Sequence, residues 1–198
     1  LGIPAVAARL AQLKHAPNFV ICFGPIIDPL LDSEDIPETN FEYDLINWES
    51  ISQILVQDSW DIFKSGRMDV GFISGAQVDM YGNTNIVCIG DHKKPKVRLV
   101  GPLAQPDHAT GAKRTIIIMK HERRNFVKKV DFITGVGHLN GGTSRNELNL
   151  RGGGPSKVIT NLAVMDFEEN SKRMRLVSLH PGVDIKEVVD NTGFELII

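Results

Sequence analysis

An α/β fold built on a mostly parallel sheet is expected from three features of the 198 residues. Helical patterns and short apolar runs alternate over much of the chain, the order that parallel βα units produce. The run "TIIIM" at 115–119 is continuous and β-branched, as in a strand buried on both faces. Two late strand patterns follow each other without a helix between them, which adds an antiparallel part.

The elements read in order as follows. "LGIPAVAARLAQLKHAPN" opens with a glycine turn and Pro4, continues as a helix compatible with Ala5, Ala8, Leu10 and Leu13, and ends at Pro17. A helix entered through such a turn usually follows a strand, so an upstream strand and helix are expected before Leu1. "NFVICFG" is a short strand stopped by Gly24-Pro25. Residues 25–47, rich in proline and acidic residues, read as a long loop, and loops of that length are often functional. "SISQILVQDSWDIFKSGR" reads as one helix with Ile51, Ile54, Leu55 and Ile62 on one face. Val56, Trp60 and Phe63 make a second stripe, and Ser65-Gly66 closes the helix. Strands are expected at Val70 to Ile73, in "NIVCIG", at Val97 to Val100, at Thr115 to Met119 and at Val130 to Thr134. "SKVITNLAVMDF" and "MRLVSLHPG" form a hairpin pair, and "DIKEVVDNTG" is a short helix closed by Gly193.

Composition narrows the function. With 42% hydrophobic and 23% charged residues, one domain over 1–198 can hold a full core. A net charge of -2 gives no reason to expect a nucleic-acid partner. Cys22 and Cys88 lie far apart in apolar segments and read as buried free thiols. No apolar run reaches the roughly 20 residues that span a bilayer. No secretory leader is visible, and a cytoplasmic location is expected.

Four stretches could carry chemistry. In "VGFISGAQVDMYGNTNI" a strand ends at Gly75-Ala76, presents Gln77 and Asp79, and turns at Gly82-Asn83. Small residues at a strand's C-terminal edge let a ligand meet the backbone, although the same residues also make an ordinary turn. Gly152-Gly153-Gly154-Pro155 is either an anion cradle or a flexible turn. His180, before Pro181-Gly182, is a possible acid–base group or a turn histidine. "KHERRNFVKK", Lys120 to Lys129, could meet a phosphate or be a solvated turn. No metal-ligand spacing occurs; His108 beside Asp107 is the nearest thing to a pair. Neither GxSxG nor a P-loop is present.

The segment "GRMDVGFISGAQVDMYGNTNI" resembles the strand-turn motif of family I CoA transferases. There the B subunits commonly run Gly-Arg-x-Asp-x-x-x-x-Gly-Gly-Ala-Gln-Val-Asp-x-x-Gly-Asn. Gly66, Arg67, Asp69, Gly75, Ala76, Gln77, Val78, Asp79, Gly82 and Asn83 match, and Ser74 replaces the first glycine of the pair. "KRTIIIMKHERRNFVKKVDFIT", "GGGPSKVITNLAVMDF", "LHPGVDIKEVVDNTGFEL" and the opening helix resemble other family segments in the same order. The likeness spans nearly the whole chain and is nearest to B subunits of the glutaconate type. It implies a three-layer α/β/α fold, a partner A subunit in a hetero-oligomer, and a site between subunits. It also implies an acyl-CoA substrate, with coenzyme A as substrate carrier and no other cofactor, no metal, no nucleic acid and no membrane. Gly24, Gly75, Ala76, Gln77, Asp79, Gly82, Asn83 and Gly101 are the implied substrate- and CoA-binding residues.

Two departures from the family pattern concern catalysis. The nucleophilic glutamate of transferase B subunits falls on Phe23, so no catalytic residue is assigned on this chain. The glycine-rich loop, usually Gly-Ser-Gly-Gly-x-Asn-Asp, matches "GPLAQPD", where Gly101 and Asp107 remain. The prolines and leucine are expected to stiffen and fill that loop. "FGPIIDPLLD" resembles a branch of the family that lacks the glutamate and hydrolyses a C–C bond in a cyclic CoA thioester. A CoA transferase, such a hydrolase and a non-catalytic partner chain are therefore the alternatives.

Overall fold

The computed structural model describes residues 2–30 and 47–198, in two compact units, Leu1–Ile62 and Phe63–Ile198.

In the first unit, helix α1 (Gly2–Lys14) buries Ala5 and Ala8 and leaves Leu10 and Leu13 outward. A three-stranded antiparallel sheet follows, β1 (Cys22–Phe23), β2 (Ile26–Pro29) and β3 (Ser50–Gln53). Gly24-Pro25 does more than end a strand. It is the two-residue link that pairs Cys22 with Ile27 and Phe23 with Ile26, with Gly24 at φ 59°. The core gathers Ala5, Ala8, Ile21, Ile26 and Trp48, with Phe23 packed edge-on to Trp48 at 6.3 Å. Trp48 Nε1 donates to the Leu30 carbonyl (2.8 Å).

The expected helix over 50–67 is corrected. Ser50–Gln53 is a strand, and helix α2 covers only Val56–Lys64. The backbone of β2 offers Ser50, Ser52 and Gln53 a ladder, and that tertiary pairing outweighs local helical spacing. Ile51 and Leu55, assigned to a buried face, are exposed. Of the expected loop over 25–47, Ile26 to Pro29 is β2, and 31–46 lies outside the described residues.

The second unit is built on a five-stranded sheet. Its strands are β4 (Val70–Ile73), β9 (Arg114–Ile118), β10 (Pro155–Ile159), β11 (Ala163–Phe167) and β12 (Met174–Leu179), in the order β12-β11-β10-β9-β4. β4, β9 and β10 pair in parallel, and β11 and β12 add antiparallel ladders. β12 consequently points the same way as the parallel trio, and β11 alone is reversed, as a mostly parallel α/β sheet requires. β9, flanked by β10 and β4, sinks Thr115 and Ile117 completely, while Ile116 and Ile118 are half-buried, so one of its faces is the better covered. Ile73, Val78, Ile117, Phe126, Val158, Met165, Met174 and Val188 form the heart of the core.

Three pieces between β4 and β9 shape the region beyond the strand ends. They are the hairpin β5 (Gln77–Val78) with β6 (Thr84–Asn85), the hairpin β7 (Cys88–Ile89) with β8 (Val97–Arg98), and helix α3 (Gln105–Gly111). The helix is hidden in sequence by prolines, but Pro106 sits in its first turn, where no amide is needed. Two short helices, α4 (Ser144–Glu147) and α5 (Ile185–Asp190), complete the unit. Val130 to Thr134 does not form the expected strand. Its polar groups serve neighbours instead: Asp131 bonds Gln77 and Gly90, and Thr134 Oγ1 accepts from the Ile86 amide (3.1 Å).

Candidate functional site

The C-terminal end of β4 opens into a cavity of about 210 Å³. Ser74, Ile86, Gly101, Leu103, Gln105 and His108 contribute to its walls. Gln105 closes it at one point, donating Nε2 to the Ser74 carbonyl while Oε1 accepts from Thr84 Oγ1 (3.3 Å). Sequence reading did not place Gln105 or His108 here, because they become neighbours of the strand end only through α3.

The loop 101–104 departs from expectation. Leu103 does not fill the cavity mouth: it is 76% exposed, and its backbone sits at φ 47°. A leucine here adopts the left-handed turn that a glycine would supply, at a cost of about 1 kcal/mol. Gly101, at φ 94°, has nothing within 4 Å of where a Cβ would stand. Among the described residues the amides of Leu103 and Ala104 make no hydrogen bond. The backbone thus still offers donors at the mouth, although Leu103 and Ala104 replace two of the loop's three expected glycines.

His108 packs its ring against Phe63 (centroids 4.3 Å apart) and buries Nδ1 without a hydrogen-bond partner. Burial holds its pKa below the ordinary value of 6.5, against the opposing pull of Asp107. The imidazole is therefore neutral at pH 7.

The expected site residues fall into three groups. Gly75 and Ala76 lie at the strand end itself, and a Cβ on Gly75 would come within 3.0 Å of the Gln77 carbonyl and 3.3 Å of the Asn85 carbonyl. Close approach of β6 already demands small side chains here, and the Ala76 amide donates to Asn85 (2.8 Å).

Gln77 and Asp79 turn inward, each no more than 6% exposed. Gln77 Oε1 accepts from Asn85 Nδ2 (2.7 Å) and the Asp131 amide (3.0 Å), and its Nε2 donates to Asp131 Oδ2 (2.9 Å). Asp131 Oδ2 also accepts from the Gly90 amide (2.9 Å), so this network carries the β7–β8 hairpin. Asp79 accepts from the amides of Tyr81 and Asn83 and from Asn83 Nδ2. Its pKa is raised by burial, against these hydrogen bonds. Asn83 donates to the Leu139 carbonyl and accepts from the amides of Gly137 and Leu139. Gly82, at φ 71°, would drive a Cβ to 2.7 Å from Phe167 and Pro155. Asp79, Gly82 and Asn83 therefore form a packed turn that pins the 137–139 loop. Gly24 belongs to the first unit and forms the β1–β2 turn.

The other candidate stretches resolve toward structure. A Cβ on Gly152 would meet the Ala112 carbonyl at 2.1 Å, and one on Gly153 the Lys113 carbonyl at 2.7 Å. Gly153 N already donates to Lys113 (2.8 Å), so the glycine run is a close-packing seam. Buried Arg145 lies against Gly154 and donates to the carbonyls of Val136, Gly137, Ala109, Arg151 and Gly152. His180 Nε2 lies 2.8 Å from the Thr160 carbonyl. Within Lys120–Lys129, Glu122 pairs with Lys120 and Arg124, and Arg123 binds the carbonyls of Asp190 and Thr192. Lys128 and Lys129 border a separate cavity of about 630 Å³ with Tyr81 and Asn140. Cys88 is buried, whereas Cys22 is only half-buried, its thiol pushed up to about 11 by desolvation. Among the described residues no cluster of His, Cys, Asp or Glu could hold a metal ion, and no helix is long and apolar enough to cross a membrane.

The site is thus a cavity at the C-terminal end of a parallel strand, beside a tightly wired Gly-Ala-Gln-Val-Asp turn, in an α/β chain. The family model for coenzyme A transferase matches residues 1–191, and the chain belongs to that family. Within the family its likeness is to B subunits. It is 40% identical to the B subunit of 3-oxoadipate CoA-transferase from Pseudomonas knackmussii, over 99% of this chain and 75% of that protein. It is 33% identical to the B subunit of glutaconate CoA-transferase from Acidaminococcus fermentans, over 98% of this chain and 74% of that protein. The crystal structure of the Acidaminococcus enzyme superposes with a TM-score of 0.84 over 98% of this chain and 76% of that one, at 31% identity. The cholesterol ring-cleaving hydrolase IpdB subunit of Mycobacterium tuberculosis is 31% identical over 98% of this chain and 74% of that protein. The resemblance read from the sequence, in fold and in subunit type, is borne out.

Proposed function

We propose that this chain is the B subunit of a cytoplasmic, two-subunit CoA-transferase enzyme that acts on the acyl-CoA thioester of a carboxylic acid. The observation that carries the reading is the cavity at the end of β4, walled by Ser74, Gly101, Gln105 and His108, in a chain of this family. Support for the partner is the likeness to B subunits of enzymes made with an A subunit. Coenzyme A enters as substrate carrier, and the reaction needs no further cofactor.

The chemistry sets the requirements. A carboxylate oxygen adds to the thioester carbonyl and CoA thiolate leaves, giving an acyl anhydride. The thiolate then attacks the enzyme's side of the anhydride, releasing the acid and leaving an enzyme–CoA thioester. A second carboxylate accepts CoA by the reverse sequence. Each tetrahedral oxyanion needs donors, and the amides of Leu103 and Ala104 would supply them. Gly75 and Ala76 let β6 approach the strand end closely, and Gly101, at φ 94°, turns the loop. Gln77, Asp79, Gly82 and Asn83 hold the surrounding turns, and Gly24 shapes the β1–β2 turn. Phe23, at the family's glutamate position, packs on Trp48 and cannot attack a thioester. No catalytic residue is therefore assigned on this chain, and the A subunit is the proposed source of the carboxylate.

Phe23 also favours a second reading, hydrolysis of a cyclic acyl-CoA, because the chain resembles a ring-cleaving hydrolase at comparable identity. The two separate in one assay of the co-expressed pair with acyl-CoA thioesters and acetate. Transfer of CoA between acids supports the first reading, and a hydrolysed or ring-opened product without transfer supports the second. No conversion of any thioester and no CoA binding would sink both.

A further inference from the structure

Gln105 joins three elements around the cavity at the end of β4. Its side chain donates Nε2 to the Ser74 carbonyl, just past the end of β4, and its Oε1 accepts from Thr84 Oγ1 on β6 (3.3 Å). Its own amide donates to the Pro102 carbonyl (3.0 Å), which ties it to the loop that enters α3. Thr84 is completely buried and fixed in turn. Its amide donates to the Gly135 carbonyl (2.9 Å), and its carbonyl accepts from the amides of Thr134 (2.8 Å) and Gly135 (3.2 Å). A Cβ on Gly135 would stand 2.4 Å from Thr84 Oγ1 and 3.3 Å from Gln105 Oε1, so the bare backbone there leaves the room this pair needs. The Gln105 carboxamide is thus held at both of its polar atoms.

The bond to Ser74 bears on charge at the site. Among the described residues the Ser74 carbonyl receives no backbone amide, and Gln105 Nε2 is its one donor. Phe72, Ile73, Ile86 and Pro102 make much of the remaining wall apolar, so a bare carbonyl here would act in a medium of low dielectric. A bare carbonyl oxygen repels an oxyanion formed nearby, and one that already accepts a hydrogen bond repels it less. Leu103 and Ala104 immediately precede Gln105, so the same residue anchors the loop that carries their amides.

We propose that Gln105 is a positioning residue for attack on the thioester. It neutralises the strand-end carbonyl of Ser74 and fixes the loop whose amides would meet the oxyanion. It acts through these backbone groups and need not touch the substrate. This rests on the acyl-CoA reading above.

The test compares Gln105→Ala and Gln105→Glu with wild type in the co-expressed complex. Calorimetry with CoA reads binding, and butyryl-, succinyl- and glutaryl-CoA with acetate read turnover. Gln105→Ala should lower kcat at least ten-fold, with CoA affinity and the Tm of the complex close to wild type, because the lost effect is made in the transition state. Gln105→Glu keeps an acceptor for Thr84 but replaces the donor with a carboxyl oxygen. Above its pKa this carboxylate faces the Ser74 carbonyl with no proton to give; below it the carboxylic acid donates as the amide does. Its kcat relative to wild type should therefore be lowest near pH 8 and rise roughly five-fold by pH 5, a profile that a purely structural tie would not produce. Wild-type kcat in both variants, or a Gln105→Glu complex with the wild-type pH profile, would overturn the inference and leave the acyl-CoA reading standing. Failure of both variants to assemble, or a loss of CoA affinity as large as the loss of kcat, would also overturn it and make Gln105 a structural tie alone. A wild-type complex that neither binds CoA nor converts any thioester would remove the functional reading, and this inference with it.

Discussion

Asn83 is the residue on which most of the turn depends. Its side chain, 1% exposed, bonds both Asp79 oxygens, one carbonyl and two amides of the 137–139 loop. Asn83→Ala would leave a buried carboxylate and several backbone groups short of partners. The expected loss is about 3 kcal/mol, or roughly 6–12 °C in Tm for a chain of this size, read by denaturant and thermal unfolding. A loss below ~1 kcal/mol would mean that the loop does not hang on this side chain. Gln77→Ala should lower turnover of the complex at least ten-fold by releasing the hairpin, with a smaller effect on stability. Unchanged acyl-CoA binding and turnover would remove Gln77 from the site. Which residues cluster here was legible in sequence as Gly75 to Asn83. Their inward direction was not, because only β6 and the 131–139 segment, distant in sequence, show where the amides find partners.

Two histidines make stability depend on pH. His121 lies between Thr160 Oγ1 (3.2 Å) and Thr192 Oγ1 (3.0 Å), stacked on Phe126 at 3.9 Å. His138 Nε2 lies 2.9 Å from the Pro155 carbonyl. Burial lowers both to about 4. The unfolded chain takes up these protons near pH 6.5, whereas the folded one does not until near pH 4. Their contribution is complete above pH 6.5 and is lost as pH falls toward 4. Between pH 7.5 and 5.5 the pair should remove roughly 2–3 kcal/mol of stability, and His121→Phe should halve that slope in urea titrations. A variant with the wild-type slope would contradict the assignment.

At the scale of elements, the 135–155 stretch shows how a glycine-rich segment can be fully specified. Arg145 forks into five carbonyls from three parts of the chain. Arg145→Lys keeps the charge but loses the planar fork, so it should fail to restore stability relative to Arg145→Met. Both should cost about 3 kcal/mol and raise amide exchange across 136–152. Rescue by lysine would show that charge, not geometry, holds the seam. Elements with strong local patterns were readable: β4, β9, β12, α1 and α5; "SKVITNLAVMDF", expected as one strand, is two, β10 and β11, because the chain turns at Thr160, whose Oγ1 accepts from the amides of Leu162 and Ala163. Ser50–Gln53 and Val130–Thr134 were misread because pairing partners, absent from any local window, decide their conformation. α3 went unseen because Pro102 and Pro106 mask a helix that tolerates proline in its first turn.

For the whole molecule, the family motif told more than periodicity. Periodicity gives an α/β sheet with a strand end lined by small residues. The spaced run Gly66 to Asn83 adds the thioester chemistry and the paired chains. Neither foresaw that Leu103 would take a left-handed turn at the cavity's rim and stay largely exposed, since backbone conformation at a non-glycine residue leaves no signature in composition. Gly101→Ala tests the mouth directly: its φ of 94° should strain any Cβ by about 1–2 kcal/mol without a clash, so activity should fall more than stability.

The central claim is that this chain serves an acyl-CoA enzyme without supplying its nucleophile. The most direct measurement is turnover of an acyl-CoA panel with acetate by the co-expressed complex, followed by borohydride trapping and mass spectrometry of both chains. The account predicts CoA transfer to acetate, with any trapped glutamate on the A subunit and none on this chain. A trapped carboxylate on this chain, or a complex inert toward every thioester and unable to retain CoA, would contradict it.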